Sequence, residues 1–373
     1  MRYGYTDDDI LKNIKILEEM MNKSKNKAFY KKIIDDINAS VNENYLSNVT
    51  VTQTTNSTMF DIYDNYYKNG RYYDFIKVFE YEMAKQFNTS KLNEIAENYL
   101  DKENYYTHDE AFSIVHDFYK KLDKELFDTF LLIYNDRYKT VRFKRDVESV
   151  NGMESDGYCI FVDKLLKNYI TIHNEVGFNK LLSLTHECGH GIFNILNPKS
   201  YTFRVDDYTT EIATMFLEQV FNYEVINNIN PFQAAYININ KLNDFGICSY
   251  YLGCHAYMIE AWKKSNNKID KYYYKNVKDK LNLTREQAKE ALCVSILDDG
   301  IYTIDYIVSL ELFNLYKKDK EKALYILKQI ESALPHDTLL LLEKYLPKYI
   351  HLGEEIDCIN DNMCKQLLKK GIC

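Results

Sequence analysis

Helix breakers are scarce in this chain, with 4 Pro and 12 Gly among 373 residues. Few points force a helical pattern to stop, and most segments repeat apolar residues at helical spacing, so a mainly α fold is expected. An excess of basic charge is also missing: Lys plus Arg total 47 against 55 Asp plus Glu, a net charge of -8. Without a basic face to neutralise phosphate groups, neither nucleic acid nor an anionic membrane is expected as the main partner. No apolar run approaches the length of a membrane span. The N-terminus, MRYGYTDDDILKNIKIL, sets three acids where a secretory signal carries its apolar core, and a cytoplasmic location is expected. The 8 cysteines include no C-x-x-C pair, which excludes the compact disulfide scaffold of small secreted domains and makes reduced thiols the default. The C-terminal tail is the exception, because His351, Cys358, Cys364 and Cys373 supply four possible ligands. A second metal site and a tail disulfide both stay open there.

What is present is helical periodicity interrupted once. Helices are expected over 7–22, 26–40, 59–68, 72–87, 91–100 and 108–134, with the polar stretch SNVTVTQTTNST (47–58) read as a loop. Between 138 and 172 the texture changes to YKTVRF, YCIFVD and NYITIH, β-branched and aromatic runs parted by glycine-containing NGMESDG. These predict a small antiparallel sheet. Helical spacing resumes at 177–196, 207–228, 232–264, 267–281, 284–296, 301–317, 320–333, 337–346 and 354–369. No linker composition cuts the chain. An N-terminal helical region (1–104) and a catalytic region (105–373) are the expected divisions, joined as one continuous unit.

Residues 178–198, FNKLLSLTHECGHGIFNILNP, hold the densest chemistry. Leu181, Leu184, Cys188, Ile192 and Ile195 step by three and four and form an apolar stripe, and Pro198 disfavours helix in the residue before it. His186 and His190 project from one side about a turn apart, with Glu187 on the flank and Cys188 on the opposite, core-facing side. Two imidazoles at this spacing can bind one Zn²⁺ through neutral nitrogens, and Glu187 is then placed to take a proton from water without being a ligand. The bland alternative keeps two core histidines and an exposed acid. Catalytic zinc needs a third protein ligand. In VDDYTTEIATMFLEQVF, a helix with Asp206 and Asp207 as cap candidates, Glu211 is that candidate, and Thr214 or Glu218 on the same face could orient a ligand.

HECGH followed by TTEIATMFLE resembles the thimet oligopeptidase and oligoendopeptidase F family of zinc endopeptidases. YTHDEAFSIVHDFYKKLDKELFDTF and NGMESDGYC are similar to the helix pair and the strand connection that precede the family's HExxH helix. The resemblance implies a mainly α, multi-helix zincin-type metallopeptidase with a small antiparallel sheet beside the HExxH helix and a deep substrate cleft. It implies one zinc per chain on His186, His190 and Glu211, with Glu187 as general base. DDGIYTIDYIVSLELF resembles the family's tyrosine-rich helix start, so Tyr302 and Tyr306 inherit the role of donors to the oxyanion.

Three departures stand out, one of them a segment between the HExxH helix and Glu211 that is shorter than is usual in the family. The chain is short for the family, with the deficit in the N-terminal helices, and LDDG replaces the family's histidine before the tyrosines. His255 and His336 are the substitutes available. The expected function is zinc-dependent hydrolysis of short unstructured peptides at internal bonds. A zinc exopeptidase on the same ligands, or a peptide-binding protein that retains the metal site, are the alternatives.

Overall fold

The computed structural model describes residues 106–144, 157–162, 167–173, 177–198, 211–231, 271–281 and 296–333, with single positions within 15–34, 233–284 and 341–344. The helices expected between 35 and 100 and over 354–369, all but the two end residues of the helix expected over 284–296, the loop at 47–58, the cap candidates Asp206 and Asp207, and His255, His336 and the cysteine tail lie outside the described residues. The described part is mainly helical with one small sheet. The chain divides into two compact units, Met1–Thr52 with Lys102–Thr202, and Gln53–Asp101 with Phe203–Cys373.

In the first unit, helix α1 (His108–Leu122) opens with a capping box. The Thr107 hydroxyl accepts from the Glu110 N–H at 3.2 Å, and the Glu110 carboxylate accepts from the Thr107 N–H at 2.8 Å. Its buried face is Ala111, Phe112, Val115, Phe118, Tyr119 and Leu122. The single helix expected over 108–134 is two helices, because Asp123 leaves helical geometry at φ -159 and ψ 140. Its Oδ1 then accepts from the N–H groups of Glu125 and Leu126 at 2.9 and 3.0 Å, capping α2 (Lys124–Thr140). The apolar rhythm runs through the break and conceals it.

Three strands follow: β1 (Val141–Lys144), β2 (Gly157–Val162) and β3 (Lys167–His173), in the order β1-β3-β2. The expected antiparallel sheet is corrected to a mixed one. β2 and β3 are antiparallel, with Gly157 opposite Ile172. β1 lies on the far side of β3 and runs parallel to it, with Val141 beside Ile170. A short link allows the antiparallel pair, whereas β1 and β3 are joined by a longer crossover that carries β2. β3, as the central strand, is buried from Asn168 through His173.

Helix α3 (Gly177–Leu196) packs on α1, α2, β2 and β3. Gly177 opens it at φ 57, a left-handed conformation that side-chain-bearing residues resist. Of the expected stripe, Leu181, Leu184, Cys188 and Ile192 are fully buried and Ile195 is half-buried. The burial also extends round the helix to Phe178, Thr185, Glu187 and Phe193, because both the sheet and the helix pair cover it. At Gly191 the approach is so close that a Cβ would stand 2.7 Å from Ile133 Cδ1 and 3.2 Å from the Asn168 side chain.

The second unit contains α4 (Ile212–Phe221), which continues through a π-helical turn (Asn222–Ile226) into Asn227–Ile229. It also contains α5 (Lys271–Leu281), α6 (Ile296–Tyr316) and α7 (Lys320–Ser332). α6 packs against both α4 and α7. The Gln219 side-chain N–H donates to Ser309 Oγ at 2.8 Å, and Phe216 meets Tyr316 edge-on. No helix among the described residues is long and apolar enough to cross a membrane.

Candidate metal and catalytic site

His186, Glu187 and His190 belong to the first unit, and Glu211, Tyr302 and Tyr306 to the second. On α3 the rotation of the helix is fixed from two sides. The buried Tyr119 hydroxyl donates to the Thr185 carbonyl at 2.9 Å, and the Asn168 amide donates to the Gly191 carbonyl at 2.9 Å. Buried hydrogen bonds of this kind are expensive to break, so the turn carrying the imidazoles has little freedom to rotate.

With α3 so held, His186 and His190 are half-buried and their Nε2 atoms stand 3.1 Å apart, the rings meeting edge to face at 75°. Two nitrogens bound at 2.0–2.1 Å to one tetrahedral zinc ion are about 3.3 Å apart. The pair therefore has the separation that a single divalent ion between two imidazoles requires.

Glu187 is 5% exposed, not the exposed acid of the bland alternative. A carboxylate is rarely taken this far out of water without a specific use. Its surroundings are shaped by Gly157 at the start of β2. A Cβ at position 157 would lie 3.0 Å from Glu187 Oε1, 3.1 Å from its Cγ and 2.7 Å from the Thr171 carbonyl oxygen. The missing side chain is what lets the strand and the acid approach. In the sequence this glycine stands within NGMESDGYC with no local mark of its role.

Cys188, between the two histidines in sequence, faces the core and is a free thiol. Burial first, and the nearby Glu187 charge second, push it far above its ordinary value. It stays protonated, and protonated thiols are poor metal ligands. Cys159 on β2 behaves alike, raised chiefly by burial and further by Glu187 and Cys188.

In the second unit, Glu211 is the N-cap of α4, and its carbonyl accepts from the Met215 N–H at 2.9 Å. Its own side chain makes no capping bond. The Thr214 hydroxyl lies 3.1 Å from Glu211 Oε2 and 3.0 Å from its carbonyl oxygen, so of the two residues expected to orient a ligand, Thr214 touches the carboxylate. Glu218 pairs with Lys241 at 2.8 Å. Tyr302 and Tyr306 are both on α6, but Tyr302 is 46% exposed and Tyr306 is buried. Between them sits Asp305, fully buried, whose Oδ2 accepts from the Glu211 N–H at 2.7 Å. No local pattern in the sequence marks it, since the bond joins residues 94 apart.

No family model and no curated protein matches the sequence. Among solved structures, a candidate peptidase from Chlamydophila abortus superposes with a TM-score of 0.57 at 14% identity, over 90% of this chain and 64% of that one. A candidate oligoendopeptidase F from Bacillus anthracis gives a TM-score of 0.43 at 16% identity, over 69% of this chain and 47% of that one. The structure titled PZ peptidase A with inhibitor 2 gives 0.43 at 13% identity, over 69% and 50%. The chain thus spans between about half and two thirds of the length of these proteins. With the first of them it shares its fold, a mainly helical one with a small sheet.

Proposed function

We propose that the chain is a zinc-dependent endopeptidase of the oligoendopeptidase F type, acting on short unstructured peptides. The observation that carries this reading is the convergence of His186 and His190 to 3.1 Å at Nε2, with the buried carboxylate of Glu187 on the adjoining residue. The fold shared with a candidate peptidase agrees with it. His186, His190 and Glu211 each offer one ligand atom of the right chemistry, and these three hold one ion per chain. When bound, zinc lowers the pKa of water and polarises a carbonyl, the two services that peptide hydrolysis at neutral pH needs.

The protein's own groups supply the rest. Glu187 accepts the proton of the attacking water on its carboxylate and later delivers it to the leaving amine nitrogen. The close approach of Gly157 to that carboxylate limits its movement between the two transfers. Tyr302 or Tyr306 donates its phenolic hydrogen to the oxyanion, a contribution of roughly 2.7 to 4 kcal/mol per donor. The exposure of Tyr302 favours it for the contact. The substrate lies extended in a cleft along β2, an edge strand of the described sheet, where main-chain hydrogen bonds hold a peptide without demanding one side chain.

A mixture of quenched peptides assayed with wild type and with Glu187→Gln tests the mechanism. The substitution removes the base while keeping the shape, and turnover falls by roughly 10² to 10⁴-fold. Equal turnover would refute the role of Glu187. Product analysis that finds single residues released in order from one end would replace the endopeptidase by an exopeptidase.

A further inference from the structure

We propose that Asp305 is a positioning residue for the third metal ligand, fixing the backbone of Glu211 while the side chain at that position serves the ion. The proposal rests on the reading of Glu211 as a ligand. The chain uses two different ways of starting a helix. At α1 the capping is local, with Thr107 as N-cap and Glu110 three residues on accepting the N-cap N–H. At α4 the N-cap is Glu211, a residue outside the favoured capping set of Asn, Asp, Ser, Thr and Gly, and its side chain makes no capping bond. The third helical position is Thr214, whose hydroxyl turns to Glu211 itself. The acid that serves the N-cap N–H comes instead from α6, as Asp305 Oδ2 at 2.7 Å.

This arrangement separates capping from the side chain at position 211. A serine or aspartate there would cap α4 locally and have no reach beyond it. Glutamate there, with Asp305 satisfying its N–H, leaves a longer carboxylate that Thr214 steadies at Oε2. Burying a charged carboxylate is costly, and a charge-assisted hydrogen bond at the positive end of a ten-residue helix offsets part of that cost. The same bond ties Glu211 to the helix that carries Tyr302 and Tyr306, since Asp305 lies three residues after one and immediately before the other. One residue thereby sets the ligand backbone in register with the proposed oxyanion donors.

Zinc affinity of the full-length protein, measured by competition with a chromophoric chelator, separates positioning from general loosening. Asp305→Ala weakens zinc by roughly 10 to 100-fold, the range for losing a group that orients a ligand. Asp305→Asn, whose amide oxygen still accepts the Glu211 N–H, returns to within about threefold of wild type. Ser309→Ala breaks the neighbouring Gln219 contact between the same two helices and leaves affinity unchanged. If the alanine variant does not fold, Asp305→Ser, too short to span the gap, gives the same loss. Wild-type affinity in Asp305→Ala or Asp305→Ser, equal weakening by Ser309→Ala, or no rescue by asparagine would overturn the proposal. Glu211→Ala run in parallel distinguishes the levels: if it binds zinc as wild type does, the three-ligand reading fails and the proposal with it. If it loses zinc while Asp305→Ala does not, only the role of Asp305 fails.

Discussion

The two helices that carry the proposed ligands are held in opposite ways. α3 is packed on nearly every side, by α1 and α2 and by β2 and β3, and its position follows from burial and from close approach at Gly157 and Gly191. α4 begins at a residue with no capping side chain, and its first N–H depends on one buried carboxylate from α6. The first helix is positioned by many packing contacts together with the buried Tyr119 and Asn168 hydrogen bonds, so its hold is shared among several groups. The second has its critical residue held by directional bonds, among them the one from its N–H to Asp305. Close packing therefore matters most around α3, and polar contacts around Glu211.

Substitutions can break this comparison. The largest effect is expected at Gly157→Ala, where the added methyl meets the Thr171 carbonyl at 2.7 Å and Glu187 Oε1 at 3.0 Å. A backbone oxygen cannot swing aside, so the strand or the acid must move. kcat should fall about 10²-fold, the scale of a misplacement near 1 Å, while zinc content is unchanged. Unaltered kcat in this variant would mean that the sheet does not set the position of Glu187. A smaller effect is expected at Thr214→Val, which keeps the shape and removes the hydroxyl from Glu211 Oε2. Zinc affinity should weaken about tenfold, with the peptide hydrolysis rate of the zinc-saturated protein near wild type. If Thr214→Val lowers the saturated rate and spares affinity, the polar contacts around Glu211 serve chemistry instead of ligand placement.

The same contrast governs what the sequence disclosed. The stripe of α3 and the pair His186/His190 are local patterns with offsets of three and four, and Leu181, Leu184, Cys188 and Ile192 are core as their spacing indicated. The bounds of α3, 177–196, are also those expected. Spacing alone places Glu187 on the flank, because periodicity registers one apolar face and cannot see a sheet laid over a second. The break at Asp123 had a signal, a capping aspartate followed two residues later by an acid, but the apolar rhythm on either side outweighed it. Strand alternation gave the three strands and not the parallel direction of β1, since side-chain alternation is the same for both directions. Asp305 left no local trace: its partner is 94 residues away, and an acid between two tyrosines on a helix reads as ordinary amphipathic texture.

The central claim is that one metal ion is held jointly by His186, His190 and Glu211. Metal analysis of wild type beside Glu211→Ala, after identical dialysis, tests it most directly. The account predicts one zinc per chain in wild type and a folded variant that has lost it, and undiminished zinc in Glu211→Ala would contradict it.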